Sequence, residues 1–367
     1  MKKIVLFALI LVCINCKTTN IESSELTTFF VGTYTSGESK GIYKYAINKD
    51  GILQKIGLAT ETNNPSYLAK SNDGKTLVAV DETDDEGTGF VKSYRIENDS
   101  LIYLSTSKTG GAHPCFVTIN SDNEVLVANY TGGNIAAYKI DNQNGLTNLL
   151  AVQQHFGKGT TARQEAPHAH SAYFHPSKNE IITADLGTNE LWFSTYNDSE
   201  KSFEFTKQEK IKMADGAGPR HIAFHPSKNW FYTINELNNK VSLIVENENK
   251  YSLKNTFSIL PEDFKGNSYA ADIHISADGK FLYASNRGHN SIAIFEIDPL
   301  NGNLQILDFE STKGNWPRNF ALSPDGDFLL VANEKSSNIV SFKRNKKNGK
   351  LSFISEIKAP NPVCILF

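Results

Sequence analysis

The chain has 367 residues, 40% of them apolar, with 37 Lys and Arg against 40 Asp and Glu. That is the composition of a globular protein with a sizeable core. The formal charge of −3, with Lys and Arg scattered along the chain, excludes a basic face for nucleic acid and an acidic tail.

In chain order, Lys2 and Lys3 precede an apolar run over residues 4–12, too short to span a bilayer as a helix. Cys13-Ile14-Asn15-Cys16 and a polar stretch follow. Residues 1–16 therefore read as a lipoprotein-type export signal. Cys16 is the expected lipidated residue, because the chain turns polar directly after it; Cys13, or simple cleavage without lipid, are the alternatives. The expected location is periplasmic or at the outer membrane. Membrane contact is expected only through that lipid, and residues 17–27 are expected to be a polar linker. Cys115 and Cys364 fall within predicted strands and read as buried free thiols rather than a disulfide.

From residue 28 the chain predicts strands only. Residues 28–58 supply three of them. A unit then recurs, anchored at Pro65, Pro114, Ala169, Pro219, Ala270, Pro317 and Pro362, at intervals of 45 to 55 residues. Each unit opens with a short apolar strand (221–224, 319–322). A turn such as Ala277-Asp278-Gly279 or Pro324-Asp325-Gly326 follows, and Asp-Gly between apolar runs signals a hairpin. A second strand (281–285, 328–332), an alternating third (291–297, 338–342) and, after Asn301-Gly302, a fourth (304–309) complete the unit. Four antiparallel strands in about fifty residues make a propeller blade. Residues 28–58 lack a first strand and residues 362–367 are a first strand without successors. Joined, they close a seventh blade and remove two open sheet edges. The expected fold is all-β: a seven-bladed β-propeller over residues 28–367, read as a monomer.

The start of strand one and the end of strand two share a rim around the central channel. The position after the anchor holds Ser66, Cys115, His170, Arg220, Ala271, Arg318 and Val363. Strand-two ends hold Asp81-Glu82, Asn129-Tyr130, Asp185-Leu186, Asn235-Glu236, Asn286-Arg287 and Asn333-Glu334. The chain has 31 Lys but only six Arg, and Arg220, Arg287 and Arg318 fall on this rim. Arg grips a carboxylate or an oxyanion with two donors at once. His113, His168, His170, His221 and His274 gather at strand-one starts, and Glu82, Glu236 and Glu334 add carboxylates. Opening an ester-like carbonyl needs a base for water and a cation for the developing oxyanion. The repeated Asn at strand-two ends reads as structural, as do His175 and His225 in His-Pro-Ser turns at the other rim. Arg220 and Glu236 also fit a plain salt bridge between neighbouring strands, with solvent reaching both. His168 and His170 alternate as a metal pair would, but no third ligand is apparent, so neither metal nor cofactor is expected.

Pro317-Arg318-Asn319-Phe320-Ala321-Leu322-Ser323-Pro324-Asp325-Gly326, Pro167-His168-Ala169-His170, Gly218-Pro219-Arg220-His221 and Asn235-Glu236 resemble the seven-bladed propeller lactonases, which include bacterial 6-phosphogluconolactonases and fungal carboxy-muconate cyclases. The resemblance covers residues 29–367. It implies metal-independent opening of a sugar lactone by water. The cyclase branch implies His170, Arg220, Glu236 and Arg287 as catalytic residues. His168, His221, Arg318 and Glu334 are the expected substrate-binding neighbours. An export signal sits uneasily with a phosphorylated cytoplasmic substrate. The alternatives are a non-catalytic surface propeller that binds protein or glycan, suggested by residues 282–295, and a lactonising cycloisomerase.

Overall fold

A computed structural model describes residues 26–98, 100–141 and 143–367. The expected export signal and Cys16 lie outside the described residues, as does most of the linker, since strand structure begins at Leu26.

Seven antiparallel sheets follow one another along the chain, and no helix occurs among the described residues. The first blade is built from Leu26–Thr33, Gly41–Asn48 and Leu53–Glu61, with the C-terminal strand Pro362–Leu366 as its innermost member. Phe30 pairs with Leu366, Val31 with Ile365 and Gly32 with Cys364. The next six blades occupy residues 68–108, 114–154, 169–212, 219–258, 269–311 and 317–358. The third departs from four plain strands. Its outer position is shared by Gly145–Leu146 and Ala151–Gln154, both paired with Asn134–Asp141. The break follows from capture by the second blade, where the Leu146 amide donates to the Ser93 and Ser105 hydroxyls.

The core lies between blades. Alternate apolar residues of one sheet pack on the facing sheet, as Tyr232, Ile234 and Leu243 do on Leu282, Ala284 and Phe295. The predicted hairpin turns are locked locally: Ser276 donates to Asp278 and accepts the Phe281 amide, and Ser323 does the same with Asp325 and Phe328. Gly279 and Gly326 take the left-handed conformation these turns need, with φ 70 and 67. Cys115 and Cys364 are free and buried, as expected.

Candidate active site

Six of the seven blades send residues to one mouth of the channel, and backbone irregularity in the innermost strands aims several of them. Pro114 pairs with Asn129 and Phe116 with Ala128, which leaves Cys115 unpaired. The same slip leaves His170 unpaired between Ala169 and Ser171, Arg220 between Pro219 and His221, and Arg318 between Pro317 and Asn319. A β-bulge turns its extra residue off the regular alternation, so the position after the anchor faces the channel. The residue before the anchor is left-handed in five blades: Asn64, His113, Gly218, Trp316 and Asn361 have φ of 35, 53, 66, 68 and 41. For a Trp such a backbone is costly and marks a position held by its surroundings. The Lys335 ammonium and the Arg287 guanidinium lie on the Trp316 ring, 3.3 and 5.6 Å from its centre.

The mouth encloses a cavity of about 390 Å³ lined by Glu82, Cys115, Tyr130, Arg163, His170, Glu236, Tyr269, Arg287, Trp316 and Arg318. Glu236 is its electrostatic centre. Oε2 accepts from Arg220 Nε at 3.1 Å and pairs with Arg287 Nη2 at 2.8 Å, while Oε1 accepts from Arg163 Nη2 at 3.0 Å. Burial alone would raise the Glu236 carboxyl. Arg287, Arg220, Arg163 and Arg318 outweigh it and hold the group down at about 2. Arg220 and Arg287 are themselves tied to backbone carbonyls: Arg220 Nη1 donates to Ala271, and Arg287 donates to Tyr269 and Ala270.

His170 is 4% exposed. Its Nδ1 sits 3.8 Å from the Cys115 sulfur. Tyr130 and His221 pack edge-on against the ring, and Nε2 has no hydrogen-bond partner among the described residues. Burial, then the charges of Arg220, His221 and Arg318, push its pKa well below the ordinary histidine value, so the imidazole is neutral at pH 7. Burial also raises the Cys115 thiol far above its usual range, which makes it a neutral neighbour rather than a nucleophile. Arg318 is partly buried. Its guanidinium lies 5.2 Å from the centre of the Tyr34 ring and makes no hydrogen bond or ion pair among the described residues. Tyr34 donates instead to Glu82.

His170, Glu236, Arg287 and Arg318 therefore meet in one cavity, with Arg220 directly behind Glu236. Three expected binding residues do not line it. His168 stacks on Tyr130 and its Nδ1–H donates to the Tyr130 carbonyl, so it props that ring. His221 lies deeper, with Nδ1 2.8 Å from Asp272, a carboxylate that also meets His274 and Asn319. Glu334 contributes charge beside Arg318, and its buried Oε2 has no hydrogen-bond partner among the described residues. The bulge at His170 also defeats the simple alternation that put His168 and His170 on one strand face. The expectation that solvent reaches Arg220 and Glu236 is wrong: their side chains are 3% and 5% exposed, because Arg163 and Arg287 close over them.

The structural readings hold. The Asn129, Asn286 and Asn333 amides donate to carbonyls of the preceding interblade segment, and the His225 ring bonds Gly279 and Ser227. Sequence reasoning missed Arg163, Tyr269 and Trp316. The last two directly precede their anchors, so the template read one position earlier finds them. Arg163 lies in the widest interval, between Pro114 and Ala169, which marks an insertion but not where its side chains go.

Fold and mouth together define a closed propeller with a small, charged pocket at one end of its channel. The chain belongs to the 7-bladed β-propeller lactonase family, the match covering residues 28–367. It is 37% identical over 345 residues to a 6-phosphogluconolactonase of Bacillus subtilis, covering 92% of this chain and 97% of that one. It is 35% identical over 304 residues to a 6-phosphogluconolactonase of Formosa agariphila, covering 80% and 85%. Among solved structures, the periplasmic gluconolactonase of Pseudomonas aeruginosa superposes with a TM-score of 0.88 at 29% identity, covering 93% and 98%.

Proposed function

We propose that this chain hydrolyses a sugar lactone at the Glu82–His170–Arg318 mouth, with His170 as general base. The observation that carries the reading is the pairing of a neutral imidazole, its Nε2 unpartnered, with an uncommitted guanidinium on Arg318 in one cavity. Glu236, the other candidate base, is ionised but has both oxygens engaged by arginines and a strongly depressed basicity. It acts as the clamp that holds Arg220 and Arg287.

In this mechanism a water oxygen attacks the lactone carbonyl carbon while His170 Nε2 takes a proton from it. Arg318 and Arg287 face the carbonyl oxygen as it becomes an oxyanion. The tetrahedral adduct collapses with cleavage of the bond to the ring oxygen, and His170 returns its proton to that oxygen. The product is an open hydroxy acid, which ionises to the carboxylate and releases a proton to solvent. A positioned base is worth about 10²–10⁴ in rate, and an oxyanion donor about 10²–10³.

The non-catalytic reading calls for a continuous apolar surface. Leu26, Ile52, Ile56 and Leu58 are exposed on the first blade and Ile102 and Tyr103 on the second, Phe156, Phe205, Leu300 and Phe353 lie on other blades and loops, and none of them lines the charged mouth. The test is a panel of aldonolactones incubated with the purified full chain in water enriched in oxygen-18. The hydrolase reading predicts one labelled oxygen in the product carboxylate. An unlabelled isomer instead identifies a cycloisomerase, and binding without any product identifies a non-catalytic propeller; either result contradicts the proposal.

A further inference from the structure

Connections between successive blades run from three to six residues, except for the ten of residues 259–268 and the longest, residues 155–168, which join the third and fourth blades in fourteen. This long connection is anchored. Gln164 is fully buried, donates to the Leu186 carbonyl at 2.8 Å and to Asn189 at 3.1 Å, and its backbone closes on Gly159 and Thr161. The preceding residue, Arg163, is carried over the cavity. One of its nitrogens, Nη2, donates both to the Tyr130 hydroxyl and to Glu236 Oε1, each at 3.0 Å.

Arg163 differs from Arg220 and Arg287 in its contact with water. Its side chain is 50% exposed, against 3% for Arg220 and 5% for Arg287. Those two are locked to backbone carbonyls around the reacting centre, whereas Arg163 stands at the entrance on a rigid base with most of its donors unused. Arg163 lines the same cavity as His170 and Arg318, so a ligand whose carbonyl meets those two can bring its other end to Arg163. A half-solvated guanidinium there favours a negatively charged group.

We propose that Arg163 is the specificity-determining residue of this mouth, selecting lactones that carry an anionic group remote from the ring carbonyl. A phosphate ester and a second carboxylate share the chemistry it recognises. The proposal rests on the lactonase reading above.

The test compares kcat/KM for three substrates: a neutral aldonolactone, its phosphate ester and a lactone of the corresponding diacid. Each is assayed with the wild-type full chain, Arg163→Gln and Arg163→Glu. Any effect common to all substrates, including loosening of Glu236, cancels in the charged-to-neutral ratio. That ratio falls about tenfold in Arg163→Gln, the lower end for a charge-assisted hydrogen bond because the group is half in water. It falls further in Arg163→Glu. A fall for the phosphate ester alone, or for the diacid lactone alone, supports the proposal and identifies the anion. Ratios unchanged in both variants overturn it while leaving the lactonase reading intact. A wild-type protein that opens none of the three overturns that reading and this proposal with it.

Discussion

Glu236 binds three arginines with two oxygens, and the cluster's burial decides what its loss does. Glu236→Gln removes the charge that Arg220 and Arg287 share, leaving two buried cations without a counter-ion. Breaking a buried pair from one side costs about 3–5 kcal/mol. The substitution is expected to lower the urea midpoint and the melting temperature together with activity, and an unchanged melting temperature would contradict the buried cluster. The sequence reading of a solvent-reached pair implies the opposite, lost activity at little cost in stability, because an exposed ion pair is worth only about 0–1 kcal/mol. The repeat template says how far along a strand a residue lies. It does not say what covers that residue, and Arg163, which covers this one, comes from a connection outside the repeat.

At the scale of the element, the informative feature is the bulge that follows the anchor. It was legible only as a position, yet it explains why Cys115, His170, Arg220 and Arg318 all leave the sheet alternation. Asp-Gly turns, strand order and the complementary chain ends could be read directly, because turn chemistry and apolar alternation are local. The broken outer strand of the third blade could not, since Leu146 is captured by hydroxyls of a different blade. The closing strand Pro362–Leu366 buries Val363, Cys364 and Ile365 almost completely, and Phe367 packs against Phe29 with ring centres 5.2 Å apart. Burying one such apolar side chain is worth about 1.5–3 kcal/mol, so losing the strand consumes most of a typical stability of about 5–15 kcal/mol. It also bares the edge of Leu26–Thr33. Deleting residues 362–367 is expected to give an aggregating chain without a cooperative melt. A truncated protein melting at the parental temperature would refute the ring closure.

On the scale of the whole molecule, six of the seven near-equivalent blades and one long connection bring their unlike residues to one opening, and the ring holds them there. The closed ring and most of the mouth were visible in the repeat and in the scarcity of arginine, and the family in the resemblance of motifs such as Gly218-Pro219-Arg220-His221. The depth of each residue was not, because depth depends on how neighbouring blades meet. The central claim is that a neutral His170 at this mouth activates water. A base works only when unprotonated, so activity is lost as pH falls through its folded-state pKa. Burial and the nearby arginines put that pKa well below 6.5, whereas a limb set by Glu236 would lie near pH 2. The most direct test is kcat/KM against pH for the wild type and His170→Ala on one hydrolysed lactone. The account predicts a wild-type plateau that continues below pH 6.5 before falling, with the variant about 10²–10⁴ lower on the plateau and lacking that acid limb. A His170→Ala protein with the parental rate and the parental pH profile would contradict it.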